Sequence, residues 1–367
     1  MPNFNYHMPT QIFHGEGVVN QQANQFSNLG SRALLVTGKN SARLSGALKD
    51  VIQALDSVQV DYAIFDQVEN NPSLANVTDG GQFAREYKPH FILGIGGGSP
   101  LDAAKAIAVL ATNEMDAMGL YEPPYTNPPL SVVAIPTTAG TGSEATPYSV
   151  LTIPDQQTKK GFGGPELFPK IALLDPLYTA SLPRDITVDT GVDALSHLVE
   201  AYLSKRASDA SDLFAKAGIE LWKECISQLV SGQVSLDVRD KLLIASTLGG
   251  MTISHTGTTF VHALGYSLTF FHDIPHGQAN GLVMAEYLGY TQGVVAQRVD
   301  NILAWLGLSS VDDFRALMNS LFKEKPRLST QQIRQYGKQA SETKNAGYSL
   351  GDVTAQVCID VLEKSLQ

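Results

Sequence analysis

Cysteine is scarce in this sequence, with only Cys225 and Cys358 among 367 residues. Two thiols so widely separated along the chain supply neither a disulfide framework nor a cysteine cluster for a metal. We expect both to be ordinary buried side chains. The scarcity excludes a small disulfide-rich fold and a cysteine-ligated metal protein.

Basic residues are also in the minority, because 26 lysines and arginines stand against 36 aspartates and glutamates and leave a formal net charge of -10. Proteins that bind nucleic-acid phosphates or anionic lipid neutralise them with a basic face. The sequence also lacks the ~18 uninterrupted apolar residues of a membrane span and the basic-then-apolar start of a signal peptide. We therefore expect a cytoplasmic protein that binds neither nucleic acid nor membranes.

The first half of the sequence contains short apolar runs that indicate strands, beginning at Ala33, Val60, His90, Ser131, Tyr148 and Ile171. Helical periodicity falls between several of these runs, near residues 42–55, 75–87 and 100–112. Apolar strands alternating with helices are typical of a parallel sheet that is covered on both faces. The pattern predicts a doubly wound, mostly parallel, Rossmann-like α/β domain.

The second half reads as helical throughout, because apolar residues recur there at helical spacing and strand-like runs disappear. The segment LPRDITVDTG interrupts the periodicity at the change of pattern. A chain of 367 residues also exceeds the usual size of one core. We therefore predict two domains, an α/β domain over residues 1–184 and an all-α domain over residues 185–367.

A glycine-rich turn joins a predicted strand to a helix in the segment HFILGIGGGSPLDAAKAIAVL. Gly97 and Gly98 allow backbone N–H groups to approach a pyrophosphate, Ser99 can cap the helix, and the helix N-terminus adds positive potential. Asp102 suits that end of the helix, whereas Lys105 is expected to be solvated. The segment matches neither the GxGxxG nor the GxxxxGK[ST] motif, so an ordinary tight turn stays an alternative.

A second polar loop follows the next predicted strand, in the segment AIPTTAGTGSEATPYSV. It supplies hydroxyl groups suited to ribose or phosphate, from Thr137, Thr138, Thr141 and Ser143. A hydroxyl-rich turn without a ligand is the alternative. The carboxyl ends of adjacent parallel strands converge on one crevice, so the two loops together favour a nucleotide site.

Metal-ligand chemistry is concentrated in the helical half. Asp193 and His197 are four residues apart in GVDALSHLVEAY and therefore share one helical face. Four more histidines crowd into the segment that follows, at His255, His262, His272 and His276. A carboxylate with several imidazoles suits Fe(II) or Zn(II), whereas any one histidine alone is more often a core residue.

Four segments resemble the iron-containing, or group III, alcohol dehydrogenases, in that family's order: IGGGSPLDAAKA, AIPTTAGTGSEAT, TGVDALSHLVEAY and IPHGQANGLVM. The resemblance covers residues 8 to about 290. It implies a dehydroquinate synthase-like fold, with a dinucleotide-binding domain before a helical domain that holds the metal and the substrate. It also implies a homodimer.

The resemblance implies that Asp193, His197, His262 and His276 bind Fe(2+), or Zn(2+). It implies cofactor contacts at Gly97, Gly98, Ser99, Thr138, Thr141, Asn71 and Lys160, to which the two loops add Asp102, Thr137 and Ser143. Many members carry a second histidine four residues after the third ligand, where this chain has Tyr266. If His262 were that second histidine, the ligand position would fall on Thr258, a poor ligand. Tyr266 and His272 are therefore the candidates for proton transfer, and His255 is expected to be structural.

Gly38 bears on the choice of cofactor. It lies in VTGKNSARLSG, where NAD-preferring relatives often place an acidic residue against the adenosine ribose. A carboxylate there would accept a hydrogen bond from the ribose 2′-hydroxyl and repel a 2′-phosphate. The cofactor is therefore expected to be NAD(P), with a preference for NADP.

The resulting hypothesis is hydride transfer between NAD(P) and a small alcohol or carbonyl compound, with the metal acting as a Lewis acid on the substrate oxygen. A polyol dehydrogenase or a hydroxyacid transhydrogenase of the same fold stays an alternative. The metal residues argue against a maleylacetate reductase, which lacks them. A regulator that binds nucleotide and metal without turnover is the remote alternative.

Overall fold

The computed structural model describes residues 4–322 and 324–366. They form two compact units, one of residues 8–182 and one that runs from Pro183 onward and includes the described residues before Met8. Within the described ranges, none of the helices is long and apolar enough to cross a bilayer.

The first unit combines strands and helices. Its strands are β1 (Gln11–His14), β2 (Arg32–Gly38), β3 (Asp61–Val68), β4 (Phe91–Gly96), β5 (Ser131–Pro136), β6 (Tyr148–Ile153), β7 (Thr158–Gly163) and β8 (Ile171–Leu174). Its α-helices are α1 (Val18–Gln21), α2 (Asn24–Leu29), α3 (Ser41–Leu44), α4 (Ala47–Ser57), α5 (Leu74–Tyr87) and α6 (Gly98–Thr112). Short 3-10 helices cover Ala117–Tyr121, Ser143–Ala145, Pro154–Gln156, Pro165–Leu167 and Pro176–Thr179.

Six of these strands form a parallel sheet in the order β1-β8-β5-β4-β2-β3. Successive side chains of a strand point to opposite faces, so β2 contributes to two cores. Leu35 belongs to the same core as Val51 of α4 on one face, whereas Leu34 belongs to the same core as Ile107 of α6 on the other. Helices cover both faces, which confirms the predicted doubly wound fold class.

The strand order reverses between β2 and β4. The chain continues from β2 to β3 on one side and from β4 to β5 on the other, so the loops at their carboxyl ends diverge. Such a switch point leaves a crevice in which open α/β sheets bind ligands. Gly38 ends β2 and the glycine turn follows β4, so the fold brings both to this crevice.

The strand predicted from Tyr148 lies outside the parallel sheet, because β6 pairs antiparallel with β7 in a separate hairpin. Its burial alternates along the strand, as in a hairpin with one solvated face, whereas β4 is buried at every position. β1 and β7 were not predicted. β7 carries Gly161 and Gly163, which weaken a strand signal, and β1 is only four residues long.

The second unit is helical, as predicted. It contains α7 (Arg184–Tyr202), α8 (Asp209–Ser231), α9 (Leu236–Thr256), α10 (Phe260–His272), α11 (His276–Leu306), α12 (Val311–Leu321), α13 (Thr330–Ser341), α14 (Lys344–Tyr348) and α15 (Ala355–Leu366). α11 is kinked at Val295, whose backbone angles are non-helical.

Helix α7 is the central helix of this unit, packed against α8, α9 and α11. It is buried on nearly all sides, including at Asp193, His197 and Glu200. A helix buried all round normally carries apolar residues only. Three ionisable side chains in such a helix require partners, because an unpaired buried charge is costly.

Candidate functional site

The candidate metal centre is built on one face of α7. Asp193, His197 and Glu200 follow at spacings of four and three residues, which keeps them on the same side of the helix. As whole residues, backbone included, they are 3%, 5% and 0% exposed. The helix therefore presents two carboxylates and one imidazole to the interior of the unit.

Helix α10 and the first residue of α11 add two more imidazoles to this face. Three Nε2 atoms lie near Oδ1 of Asp193, at 3.9 Å for His197, 3.8 Å for His262 and 3.8 Å for His276. The Nε2 atoms of His197 and His262 are 3.0 Å apart. All three imidazoles that the resemblance singles out thus lie within 4 Å of the Asp193 carboxylate, but His197 falls outside the set of ligand atoms that are mutually close, which is Asp193, His262 and His276.

The donor set fits a transition-metal ion. Ligands about 2.1 Å from a tetrahedral ion lie about 3.4 Å from one another, close to the separations found here. One ligand atom from each of Asp193, His262 and His276 falls within 4.8 Å of the others. Mixed carboxylate and imidazole donors suit iron or zinc better than magnesium or calcium.

The centre is enclosed except near His276. That side chain is 25% exposed, whereas the side chains of Asp193, His197 and His262 are 4%, 7% and 3% exposed. A site of this kind can bind an ion inside the unit and still admit a small molecule from one direction.

Electrostatics favour an ionised Asp193. Burial alone would raise the pKa of this carboxyl, but the three imidazoles and a bond from Asn280 Nδ2 at 3.1 Å outweigh burial and hold the pKa below its ordinary value. The centre thus retains an anionic oxygen ligand at neutral pH.

Asp189, one turn before Asp193, fixes the start of α11. Its Oδ1 accepts from Gln278 N at 2.7 Å. Burial raises the pKa of Asp189 to about 7. A Cβ at Gly277 would lie 1.8 Å from the carbonyl oxygen of Asp189, so only glycine allows α11 to approach α7 this closely. Together these contacts position His276.

Glu200 and Asn280 were not singled out from the sequence, yet both contact the candidate ligands. Asn280 Nδ2 lies 3.3 Å from His262 Nε2 and donates to Asp193. Glu200 Oε2 contacts His262 Nδ1. A signal was present for Glu200, because it lies seven residues after Asp193 and therefore on the same helical face.

The proton-transfer candidates have different surroundings. The ring of Tyr266 stacks on His276, with centroids 5.6 Å apart and planes at 14°. His272 Nε2 lies 3.0 Å from the hydroxyl of Tyr336, on α13. Tyr266 therefore lies beside a candidate metal ligand, whereas His272 contacts α13, a helix that carries none of the candidate ligands.

His255 and Thr258 have contacts of a structural kind. His255 Nε2 accepts from His7 N at 2.9 Å, and its ring stacks on Tyr6 with centroids 4.2 Å apart. Thr258 Oγ1 accepts from Asn345 Nδ2 at 2.6 Å. These contacts agree with a structural His255 and offer no support for Thr258 as the ligand in place of His262.

In the first unit, the glycine turn packs against the polar loop. A Cβ on Gly97 would lie 3.1 Å from the side chain of Thr138, and a Cβ on Gly98 would lie 2.6 Å from Thr141. Thr137 N donates to the Gly96 carbonyl at 2.9 Å. The two loops thus form one polar surface at the N-terminus of α6, which suits a phosphate.

Asn71 extends this surface. Its backbone N–H donates to Ser99 Oγ at 3.1 Å, and its side-chain Oδ1 accepts from Lys159 Nζ at 2.9 Å. Lys160, the lysine that the resemblance indicated, lies over the ring of Tyr121 instead, with Nζ 4.7 Å from the centroid. Adjacent residues of β7 point to opposite sides, so only one of the two lysines is directed to Asn71.

Asp102, Ser143 and Lys105 form an internal network. Ser143 Oγ donates to Asp102 Oδ1 at 2.6 Å, and Lys105 Nζ donates to the Ser143 carbonyl at 2.7 Å. Lys105 is 0% exposed, so the expectation of a solvated lysine was wrong. Its ammonium instead binds the loop that follows β5.

Two protein-family models match this chain, one over each half, and both describe the same family. "Iron-containing alcohol dehydrogenase" matches residues 9–176, and the C-terminal model "Fe-containing alcohol dehydrogenase family" matches residues 187–344. The 1,3-propanediol dehydrogenase of Klebsiella pneumoniae is 36% identical over 78% of this chain and 75% of its own length. The NADPH-dependent butanol dehydrogenase of Clostridium saccharobutylicum is 28% identical over 92% and 88%, respectively. An iron-containing alcohol dehydrogenase from Thermotoga maritima has a solved structure that aligns with a TM-score of 0.93 and 38% identity over 99% of both chains.

Proposed function

Because the chain belongs to the iron-containing alcohol dehydrogenase family, as its sequence predicted, we propose that it transfers hydride between NAD(P) and a small alcohol or its carbonyl product. The family membership establishes an oxidoreductase that uses a metal and a nucleotide cofactor. The observation that supports the proposed chemistry is the approach of His197, His262 and His276 to the carboxylate of Asp193.

We assign the metal to these four side chains, with Fe(2+) favoured by the family and Zn(2+) equally compatible with the donors. A bound ion supplies a Lewis acid that stabilises negative charge on a substrate oxygen. The protein's own contribution is to hold the three imidazoles and one carboxylate in place and to limit water around them. The partly exposed His276 side is the proposed path for substrate.

We assign the dinucleotide phosphates to the surface formed by the glycine turn and the polar loop. Gly97, Gly98, Ser99, Thr138, Thr141 and Asn71 remain the proposed contacts. Lys159 replaces Lys160 in this proposal, because it bonds to Asn71. Asp102 and Ser143 are proposed to brace the loop, since their bonds are to each other and to the protein.

For proton transfer, Tyr266 is favoured over His272. Its ring lies against His276, on the side proposed for substrate entry, whereas His272 bonds to Tyr336. A phenol at the position of the family's second histidine can still donate and accept a hydrogen bond.

Small primary alcohols or diols are the proposed substrates. The relatives named above include a 1,3-propanediol dehydrogenase and a butanol dehydrogenase. A polyol dehydrogenase therefore stays within the proposal, and the first of these relatives favours it. The protein is further proposed to act as a homodimer, as the family resemblance implied, and to be located in the cytoplasm, as the sequence analysis predicted.

The function is tested by combining metal analysis with turnover. The purified protein should contain iron or zinc, and its oxidation of alcohols such as 1,3-propanediol and butanol, followed at 340 nm, should track the metal content. Removal of the metal should abolish turnover, and readdition should restore it. Full turnover of any tested alcohol, or of its aldehyde in the reverse direction, by metal-depleted protein would exclude the proposal.

Cofactor preference is tested at the end of β2 with Gly38→Asp. The new carboxylate should shift the ratio of kcat/KM toward NAD by about 10- to 100-fold, the effect of a hydrogen bond to a charged group of about 1.5–3 kcal/mol. The site has room, because a Cβ at Gly38 would be 3.5 Å from its nearest neighbour, Val68 O.

Gly38→Asn is the matched control, with the same shape and no charge. It should leave the ratio close to that of the unmodified protein. A wild-type protein that already prefers NAD strongly would contradict the proposed NADP preference, whatever the variants do.

A further inference from the structure

Glu200 is a fully enclosed carboxylate, 0% exposed, that is neither a proposed metal ligand nor a proposed dinucleotide contact. Its Oε1 accepts from the backbone N–H and the hydroxyl of Thr259, at 2.7 and 2.6 Å, and lies 3.4 Å from His262 N. Its Oε2 contacts Nδ1 of the His262 ring. The carboxylate therefore links the ring of His262 to Thr259, which occupies the N-cap position of α10.

The contact with Nδ1 determines which nitrogen of His262 carries hydrogen. An ionised carboxylate only accepts hydrogen bonds, so Nδ1 must be the donor. In a neutral imidazole the other nitrogen, Nε2, then presents a lone pair. That lone pair lies on the side of Asp193 and His197, whose nearest atoms are 3.8 and 3.0 Å away.

We propose that Glu200 is a positioning residue that holds His262 in the tautomer able to bind the metal through Nε2 and fixes the angle of its ring. This inference rests on the proposed function, since it takes His262 to be a ligand. Groups that orient metal-binding histidines in this way commonly strengthen metal binding by about 10- to 100-fold.

Glutamine at position 200 reverses the tautomer. Thr259 N–H must still find an acceptor, so the amide oxygen stays on that side and the amide NH₂ turns toward His262. Two donors cannot face each other, so Nδ1 loses its hydrogen and Nε2 gains it. The lone pair that the ion requires is then lost, although the side chain keeps its size.

The experiment measures metal affinity of the full chain, by titrating metal-free protein with Zn(2+) against a competing chelator. Glu200→Gln should raise the Kd for Zn(2+) about 10- to 100-fold. Thr259→Val is the matched control, because it removes a donor to Oε1 and leaves the contact between Oε2 and His262. It should change the Kd much less than Glu200→Gln does.

His262→Ala separates this inference from the proposed function. If His262→Ala leaves Zn(2+) binding unchanged, the proposed ligand set fails. If His262→Ala weakens binding but Glu200→Gln binds as tightly as the unmodified protein, only the role of Glu200 is overturned.

A measurement on the unmodified protein covers the case in which Glu200→Gln does not fold. Nitrogen-15 NMR of histidine-labelled, metal-free protein should show His262 with hydrogen on Nδ1, its signal identified by loss in His262→Ala. Hydrogen on Nε2 instead would overturn the proposal.

Discussion

Replacing Asp193 with asparagine is expected to lower kcat by at least about 10³-fold, which corresponds to about 4 kcal/mol of lost transition-state stabilisation. Asparagine keeps the shape and one oxygen but removes the only anionic member of the proposed ligand set. The neighbouring imidazoles hold the pKa of Asp193 below its ordinary value, so the charge is present at neutral pH and its loss is a real change.

The measurement pairs kcat with metal content and dinucleotide affinity. Asp193→Asn should lose most of its bound metal, while its Kd for the dinucleotide stays within about twofold of the unmodified protein, because the glycine turn belongs to the other unit. Asp185→Asn is the control, since its side chain is on the same helix and 92% exposed. Normal metal content and turnover in Asp193→Asn would show that the convergent side chains are not the metal centre.

Much of this centre was open to prediction because helical spacing is a strong signal. Asp193 and His197 were paired from their separation alone, and the structure places both on one buried face of α7. The same reasoning reaches Glu200, which was overlooked because attention went to residues that bind metals directly. His262 and His276 lie on different helices, so their choice among four crowded histidines depended on the family resemblance.

The sheet was predictable where strands are buried on both faces and less so elsewhere. β2, β4, β5 and β8 are continuous apolar runs, and each was found. The hairpin of β6 and β7 was harder, because partnership between strands is a tertiary property that a run of residues does not encode. The choice between Lys159 and Lys160 depends on the register of that hairpin, which only the structure supplies.

The burial of Lys105 could not be read from its position in the first turns of a helix. Lysine is almost never fully buried unless it is paired, and the partners here come from a loop almost forty residues later. Burial lowers the pKa of Lys105 to about 8, against the opposing effect of Asp102 and Glu144, so the side chain is still an ammonium at neutral pH.

Lys105→Met is accordingly expected to destabilise the protein by about 3 kcal/mol or more, because two buried carbonyl groups lose their donor at about 1–3 kcal/mol each. Methionine fills similar space but leaves the Asp102 carboxylate without its cation, and the carbonyl groups of Ser143 and Tyr148 without their donor. The unfolding temperature should fall by at least about 6 °C, measured on metal-free protein. Lys49→Met, at an exposed position of α4 in the same unit, should shift it by far less.

In Lys105→Met, the affinity for the dinucleotide should fall together with the stability of the protein. The reason is that Lys105 Nζ holds the polar loop at Ser143 and Tyr148, which follow Thr138 and Thr141 in the chain. A loosened loop must be reordered on binding, and that entropy reduces affinity. At a temperature where Lys105→Met is folded, the Kd for the dinucleotide should rise about tenfold or more, equivalent to ordering one or two backbone residues at about 1–2 kcal/mol each. Metal affinity should be unchanged, because the proposed metal ligands lie in the other unit. If Lys105→Met is as stable as Lys49→Met and binds the dinucleotide normally, the buried ammonium does not hold the loop in its binding conformation.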